Sequence, residues 1–463
     1  MKRLNRRDTI KSLTLGAVAG LSSRACLGAE AETAATHQPE TWPAVDVLVC
    51  GGGPAGIAAA LAAGKQGAKV LLAERYGRLG GMAVQAMVGP LMGKVESAWV
   101  DRIIERLGGR RVDYEFADLK YAAMLEEAGV DILLHAAVAE PLQDGKRVTG
   151  ARLLTKQGLI DVPARVVIDA TGDGDVALAA GAEFEQGRGA GPTWSADGLV
   201  QPMTIMFRIS GVNHAESMAT HGGRGRYRFA DGRSWDQLCF DANAKGELPK
   251  NVGKVRTYSS HRDDQRVINA TQVNYVDGTK VRDLTKAELE GRRQVEPILE
   301  FLRKNAPGFA DAYVSGMPAV IGVRETRRIV GDDYLTVREI VSGARSEHAV
   351  VRKAAFGIDI HNPDGIGQAQ GISKDHPLGK DPKCQPYDIP YGCLLPKGIE
   401  GLLTAGRCIS GSHEAMASYR VQVIAMGTGI AAGAAAALAA KKSIVPRDVD
   451  VAAIQGIVFG TRG

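Results

Sequence analysis

Residues 45–81 read VDVLVCGGGPAGIAAALAAGKQGAKVLLAERYGRLGG, and this stretch decides how the rest of the chain is read. Val45-Asp46-Val47-Leu48-Val49 is a short β-branched run closed by glycine, which predicts a buried strand. Gly51, Gly53 and Gly56 follow in G-x-G-x-x-G spacing, and the alanine-rich run from Pro54 to Lys65 has the length of a helix. A second apolar run, Lys69 to Ala73, ends on Glu74. Gly51 is suited to a tight turn, and Gly53 has no side chain to hold a pyrophosphate off the main chain. Pro54 and Ala55 belong to the same loop, and Gly56 with Ala59, Ala60 and Ala63 lets the helix lie close on a sheet. Free N–H groups and the helix dipole then face the phosphates. Glu74 stands 18 residues after Gly56, at a strand end, where a carboxylate accepts both ribose hydroxyls. Glycine makes up 57 of 463 residues, so the spacing alone says little; the strand, helix and acid around it make it a dinucleotide site.

The N-terminus has another character. Asn5-Arg6-Arg7-Asp8-Thr9-Ile10-Lys11, the apolar stretch Leu13 to Leu21 and Ala29-Glu30-Ala31 resemble a twin-arginine export signal, with Thr9 where an aromatic residue is usual. The expectation is a signal over residues 1–31 and a periplasmic or extracellular protein. That segment carries six Lys/Arg against two acids, so of the chain's net +5 only about +1 remains outside it. The basic balance therefore gives no reason to expect nucleic acid as a partner. No uninterrupted apolar run is long enough for a bilayer; Ile424 to Ala440 is mostly Ala and Gly, which suits close packing, so no membrane span is expected in the mature chain. Six scattered cysteines, without C-x-x-C, support neither a disulfide framework nor an iron–sulfur ligand run. The nine histidines lack metal-ligand spacing, so no metal is expected.

After Glu74 comes Arg75-Tyr76-Gly77-Arg78-Leu79-Gly80-Gly81. Strand, glycine turn, helix, strand, acid and then a Gly-Gly doublet resemble the FAD-binding start of glutathione-reductase-type flavoproteins. The resemblance implies FAD, held by Gly51, Gly53, Pro54, Ala55, Gly56, Glu74, Arg75, Gly80 and Gly81. Residues 130–138 read as one strand, similar to the one ending beside the adenine in that family, which makes Val138 a further contact. Lys146–Asp161 alternates around Lys156-Gln157-Gly158 as a β-hairpin. A separate buried strand, Ala164 to Asp169, ends on Ala170-Thr171-Gly172, similar to the second flavoprotein signature. Asp173 and Asp175 are read as caps of a following helix.

Residues 188–389 are more polar and aromatic, and have no second strand–glycine–helix unit that would bind NAD(P)H. They are read as an inserted α+β substrate or cap domain, entered through a linker at Gly187–Pro192. Its sharpest feature is IGVRETRRIVG at 321–331, where Arg324, Arg327 and Arg328 are candidates to hold an anionic substrate; the other reading is a charged strand face. The nucleotide fold resumes over 390–445, with 446–463 as a tail. A strand ends on Ala405-Gly406-Arg407, where the family usually has Gly-Asp on the ribityl chain; Arg407 replaces that acid. Met426-Gly427-Thr428-Gly429-Ile430 is read as opening a helix whose first amides face the flavin. His413 and Arg420 lie between strand and helix, and with Arg324 are the candidates for catalysis: His413 as acid or base, Arg324 to hold an anion, and Arg420 to hold a substrate anion or to stabilise the reduced flavin.

The Gly-Arg ending, IGVRETRRIVG and the SHEA…YRV…MGTG segment together resemble the FAD-dependent oxidoreductases related to the heterodisulfide reductase flavin subunit. The expected fold is α/β: a Rossmann-like FAD domain (45–187 and 390–445) interrupted by the insert. The expected function is hydride transfer between a small organic substrate, an anionic one among the candidates, and flavin N5, with a quinone, redox protein or oxygen as separate acceptor. The alternatives are a reductase of C=C or disulfide bonds fed by a partner, possibly iron–sulfur linked, and a non-catalytic flavin-binding redox sensor.

Overall fold

The computed structural model describes residues 39–188, 197–221, 229–366 and 383–460. The twin-arginine segment and most of the Gly187–Pro192 linker lie outside the described residues.

The fold is mixed α/β, and its frame is an eight-stranded sheet. Val45–Cys50 pairs in parallel with Val70–Glu74 on one side and with Gly158–Asp169 on the other. Val130–Leu134 extends the parallel set beyond Val70–Glu74, and Leu402–Thr404 joins it against the end of Gly158–Asp169. Val47, Leu48, Val49 and Cys50 are all fully buried, as expected for a parallel strand covered on both faces.

Two sequence expectations change here. The second arm of the hairpin and the strand after it are one element, Gly158–Asp169, twelve residues long. Its first half ladders antiparallel with Arg147–Thr155 and its second half runs parallel in the main sheet. No glycine interrupts the apolar alternation between its halves, so nothing ends the strand. The stretch read as one strand over 130–138 is instead two, Val130–Leu134 and Ala137–Asp144. His135 takes a positive φ of 55° between them, and the chain turns from the parallel set to the antiparallel one. Val138 lies on the second strand.

The helices Pro54–Lys65 and Gln422–Lys442 pack against each other over the sheet. A Cβ at Gly429 would lie 2.1 Å from the Ala55 carbonyl, and one at Gly433 2.0 Å from that of Ala59. The small residues of both helices are therefore what close backbone approach requires. Gln422–Lys442 is long and apolar enough to cross a bilayer, and here almost all of that stretch is buried.

A second hydrophobic core stands apart from the first. Arg256–Ser259, Arg266–Asn269, Phe207–Ser210 and Tyr313–Gly316 form a four-stranded antiparallel sheet in that order. The helices Trp235–Ala244 and Val295–Asn305 supply Trp235, Ile298, Phe301 and Leu302 to its core, which joins Ile205 and Phe207. This core draws on residues 203–321. Leu335, Ile340, Val350, Val351, Tyr387 and Ile389, though within 188–389, pack into the first core instead. Ala349–Ala354 and Tyr387–Pro390 pair with one another there.

Candidate active site

The glycine turn is compact because three backbones converge on it. Gly51 takes φ 110°, donates to the Ala73 carbonyl at 2.7 Å, and a Cβ on it would lie 2.5 Å from the Ala170 carbonyl. A Cβ on Gly56 would sit 1.8 Å from the Gly51 carbonyl, so the helix starts directly over the turn. Gly53 is the N-cap, and Pro54 opens the helix, where its missing N–H costs nothing. Gly80 takes φ 103°, donates to the Gly52 carbonyl at 2.8 Å, and brings Gly81 so near that a Cβ there would lie 2.7 Å from Gly53 Cα. The Gly-Gly doublet is thus docked on the first turn.

These turns wall a cavity of about 300 Å³. Gly51, Gly53, Pro54, Ala55, Gly81, Glu74 and Arg75 line it, with Val138, Ala170, Thr171, Gly172, Gly406 and Arg407. Gly278, Leu284, Glu288, Val320, Ile321 and Val323, from the second-core region, form another wall. A Cβ on Gly53 would find only Gly81 Cα, at 3.9 Å, so the space over this backbone is open. A glycine floor open above a helix N-terminus fits the pyrophosphate of a dinucleotide.

The charged groups around it are tightly partnered. Glu74 is buried; its Oε2 accepts from the Gly52 N–H at 2.6 Å and its Oε1 from the Tyr76 N–H at 2.9 Å. Burial raises its pKa, against those two backbone bonds. Asp173 is not a helix cap. Its carboxylate pairs with the Arg407 guanidinium, accepts from Thr326 Oγ1 at 2.8 Å and lies 3.7 Å from Arg75. Asp175 is not a cap either, and pairs with Arg327 at 2.9 Å. The helix Asp175–Ala179 is instead held at its start by Asp169, which accepts from Ala177 N–H at 2.9 Å, and by Thr171 Oγ1, which accepts from Asp175 N–H at 3.1 Å. Arg407 also donates to the Val323 carbonyl at 3.1 Å. The acid absent from position 407 thus has a counterpart of opposite arrangement: Arg407 and Asp173 face each other across the cavity wall.

The three arginines of IGVRETRRIVG do not converge. Arg327 turns to Asp175, while buried Arg328 bonds Glu325 at 2.7 Å and the Gly411 carbonyl at 2.9 Å. Arg324 alone points toward the second core, donating to the Pro202 carbonyl at 2.7 Å and Thr204 Oγ1 at 2.6 Å. Main-chain direction at this irregular segment separates side chains that stand together in the sequence.

His413 is buried, opens the helix His413–Tyr419, and is absent from the residues lining the cavity. Its Nδ1 lies 2.8 Å from Glu325 Oε1, and its Nε2 has no partner among the described residues. Burial pushes Glu325 up, but His413, Arg328 and the Gln201 N–H outweigh it and hold its pKa below the ordinary value. Arg420 does line the cavity, and its Nη2 donates to Asp359 through the main-chain carbonyl at 2.9 Å and Oδ2 at 3.3 Å.

The closing helix begins at Gln422, not at Met426. Gly427, Thr428 and Gly429 lie inside it, so their amides are not helix-start donors to a flavin. Thr428 Oγ1 accepts from the Gly406 N–H at 2.9 Å, Gly429 packs on Ala55, and Gly427 packs on Val351. The first-turn residues Gln422 and Ala425 line the cavity in their place. Gln422, Asp173, Asp359, His361 and Glu325 are the polar residues that sequence reasoning passed over as site candidates. Glu325 carries a signal in its i,i+3 spacing to Arg328; Asp359 and His361 alternate with Ile358 and Ile360, a strand-like pattern in a segment that forms no strand. Among the described residues no three His, Cys, Asp or Glu side chains cluster as metal ligands do.

A family described as FAD dependent oxidoreductase matches residues 46–458. The chain is similar to a digeranylgeranylglycerophospholipid reductase of Picrophilus torridus, 30% identical over 154 residues, covering 27% of this chain and 39% of that one. It is similar also to digeranylgeranylglycerophospholipid reductase 2 of Methanopyrus kandleri, 29% identical over 229 residues, covering 45% and 54%. The matches thus span about half or less of those curated relatives. Among solved structures it resembles a geranylgeranyl bacteriochlorophyll reductase-like protein from Thermoplasma acidophilum, with TM-score 0.42, 14% identity and coverage of 91% and 83%. Another is p-nitrophenol 4-monooxygenase from Pseudomonas putida, with TM-score 0.44, 11% identity and coverage of 90% and 84%. With nearly its whole length matched, the chain belongs to the FAD dependent oxidoreductase family: it is an enzyme, and FAD is its cofactor.

Proposed function

We propose that this enzyme is exported by the twin-arginine route and moves a hydride between a small organic substrate and the flavin. Electrons then pass to a separate acceptor, a quinone, a redox protein or oxygen. In this reading residues 45–187 and 390–445 form an FAD fold of the glutathione-reductase kind, the insert 188–389 carries a cap whose core is 203–321, and the relatives are those of the heterodisulfide reductase flavin subunit. The observation that carries it is the two-sided cavity, with the glycine turns on one wall and residues 278–323 on the other. When bound, FAD supplies the two-electron chemistry at its flavin ring. Gly51, Gly53 and the first turn of Pro54–Lys65 would hold the pyrophosphate, Glu74 a ribose, and Val138 the adenine. The second-core wall would exclude water and orient the substrate.

The test is an absorbance spectrum of the purified chain before and after denaturation, followed by an anaerobic screen for substrates that bleach the flavin. Flavin bands, release of free FAD and bleaching by a small alcohol, sugar or acid are expected. Flavin that no such compound bleaches would overturn the oxidation reading.

A second reading is a C=C reductase fed by a partner. It is favoured by the similarity to the digeranylgeranylglycerophospholipid reductases, and it requires that prereduced enzyme be reoxidised anaerobically by an unsaturated lipid.

A further inference from the structure

Arg324 and Arg420 lie nearly a hundred residues apart in the chain, yet both feel the charge of Asp359. Arg420 reaches Asp359 directly, while its Nε is buried without a partner among the described residues. Arg324 is bonded only to neutral oxygens, those of Pro202, Thr204 and, at 3.4 Å, Asn269. Among the described residues no carboxylate lies within 4.0 Å of it, so its charge has no direct counter-ion. His361, 2% exposed, stands beside them with Nε2 3.7 Å from Asp359 Oδ2, and its Nδ1 has no partner among the described residues. Its main-chain N–H donates to Gln201 Oε1 at 3.1 Å, which leaves Gln201 Nε2 also buried and unpartnered.

Arg420 holds the one nearby carboxylate, Arg324 and Arg256 feel its charge only at longer range, and three buried side-chain nitrogens want partners. A buried guanidinium without a counter-charge is expensive, and an unpaired buried donor adds to that cost. Burial and the charge of Arg420 push Arg324 down to about 9, which leaves it charged at neutral pH and short of compensation. Burial and Arg324 push the His361 imidazole down to about 3, so it stands there neutral. An oxyanion would answer the charge deficit: forked bonds from the guanidiniums, and a further bond from the Gln201 amide, while the neutral His361 turns its one N–H toward Asp359. Arg420 also lines the cavity, so an anion held here is anchored next to the space assigned to the flavin and substrate.

We propose that Arg324 and Arg420, with Gln201, form the binding site for the anionic end of the substrate, a carboxylate or phosphate group. The proposal rests on the reading of the cavity as a substrate site and names the class of molecule that enters it. Asp359 is the competing internal anion, which holds Arg420 until a ligand arrives.

The experiment is calorimetric titration of the flavin-loaded full chain with acetate, succinate and inorganic phosphate, at constant ionic strength set with chloride. Saturable binding at one site per chain is expected; preference for the carboxylates or for phosphate assigns the group. Asp359→Asn removes the competitor and should tighten binding about tenfold or more, a gain that a misfolded variant cannot imitate. Arg324→Lys keeps the charge but loses the fork, and should weaken binding about tenfold with the flavin bands unchanged. No saturable heat with any of the three anions, or an Asp359→Asn chain that binds no tighter, would overturn the proposal. Binding heat needs no turnover, so an enzyme that binds the anion while no small substrate bleaches its flavin would sink the hydride-transfer reading and leave the anion site standing.

Discussion

Asp169 and Asp173 stand four residues apart at the end of one strand and are stabilised in opposite ways. Asp173 has guanidiniums to answer its charge. Asp169 has only hydrogen bonds, from Thr171 Oγ1 at 2.6 Å, Thr171 N–H at 3.1 Å and Ala177 N–H at 2.9 Å. Burial therefore wins, and raises the Asp169 carboxyl from 3.8 to about 6. A folded value above the unfolded one means that the group's contribution to stability is present below pH about 3.8 and lost as the pH rises through about 6. Asp169→Asn cannot titrate, so the stability gap between the enzyme and this variant should shrink by about 2 kcal/mol from pH 4 to pH 6. Urea unfolding of both proteins across that range measures it, and a gap independent of pH would show that Asp169 is ionised throughout. Neither role is legible in the sequence, where Asp-Ala-Thr-Gly-Asp-Gly-Asp offers three equivalent acids. That Asp173 and Asp175 are paired and Asp169 is not depends on Arg407, 234 residues after Asp173, and on Arg327, both brought in by later parts of the chain.

At the scale of elements, the helix pair Pro54–Lys65 and Gln422–Lys442 was legible in kind, because a run of alanine and glycine has few uses other than close approach. Where the second helix starts was not. Its N-cap is Val421, with no capping side chain, while Met-Gly-Thr-Gly mimics a helix opening at Met426, four residues after the true start at Gln422. Those glycines answer to packing across the helix pair, a tertiary demand that local pattern does not register. The packing makes a sharp prediction. Gly433→Ala would drive a Cβ to 2.0 Å from the Ala59 carbonyl, a backbone atom that cannot step aside, and should cost about 2–3 kcal/mol. Gly456→Ala, in the helix Val451–Val458, meets nothing within 4 Å and should instead stabilise by about 0.5–1 kcal/mol. Chemical denaturation of the two variants separates these signs; equal effects would mean that helix propensity, not backbone contact, sets the cost.

At the scale of the whole molecule, the two cores differ in what their sequences announce. The first is built around a motif whose glycines have one geometric purpose, so its cradle could be named residue by residue. The second, over 203–321, is an ordinary amphipathic assembly, and its share in the site comes only from how it is set against the first. Gly278, Leu284, Glu288, Val320, Ile321 and Val323 reach the cavity although no spacing among them suggests a ligand. If cofactor and substrate share this cavity, binding to the glycine wall should be felt across it. Ligand at about 100 times its Kd stabilises the native state by about 2.7 kcal/mol, and slows by about a hundredfold the exchange of amides that open only with the binding site. Adding FAD to the cofactor-free chain should therefore protect amides at 278–288 and 320–323 as well as at 51–56, read by hydrogen–deuterium exchange. Protection confined to 45–187 would mean that the second core opens independently of the cofactor. The far wall would then be a loosely set cover, and substrate would have to bring it into place. Protection on both walls would mean that FAD itself completes the substrate side before any substrate arrives.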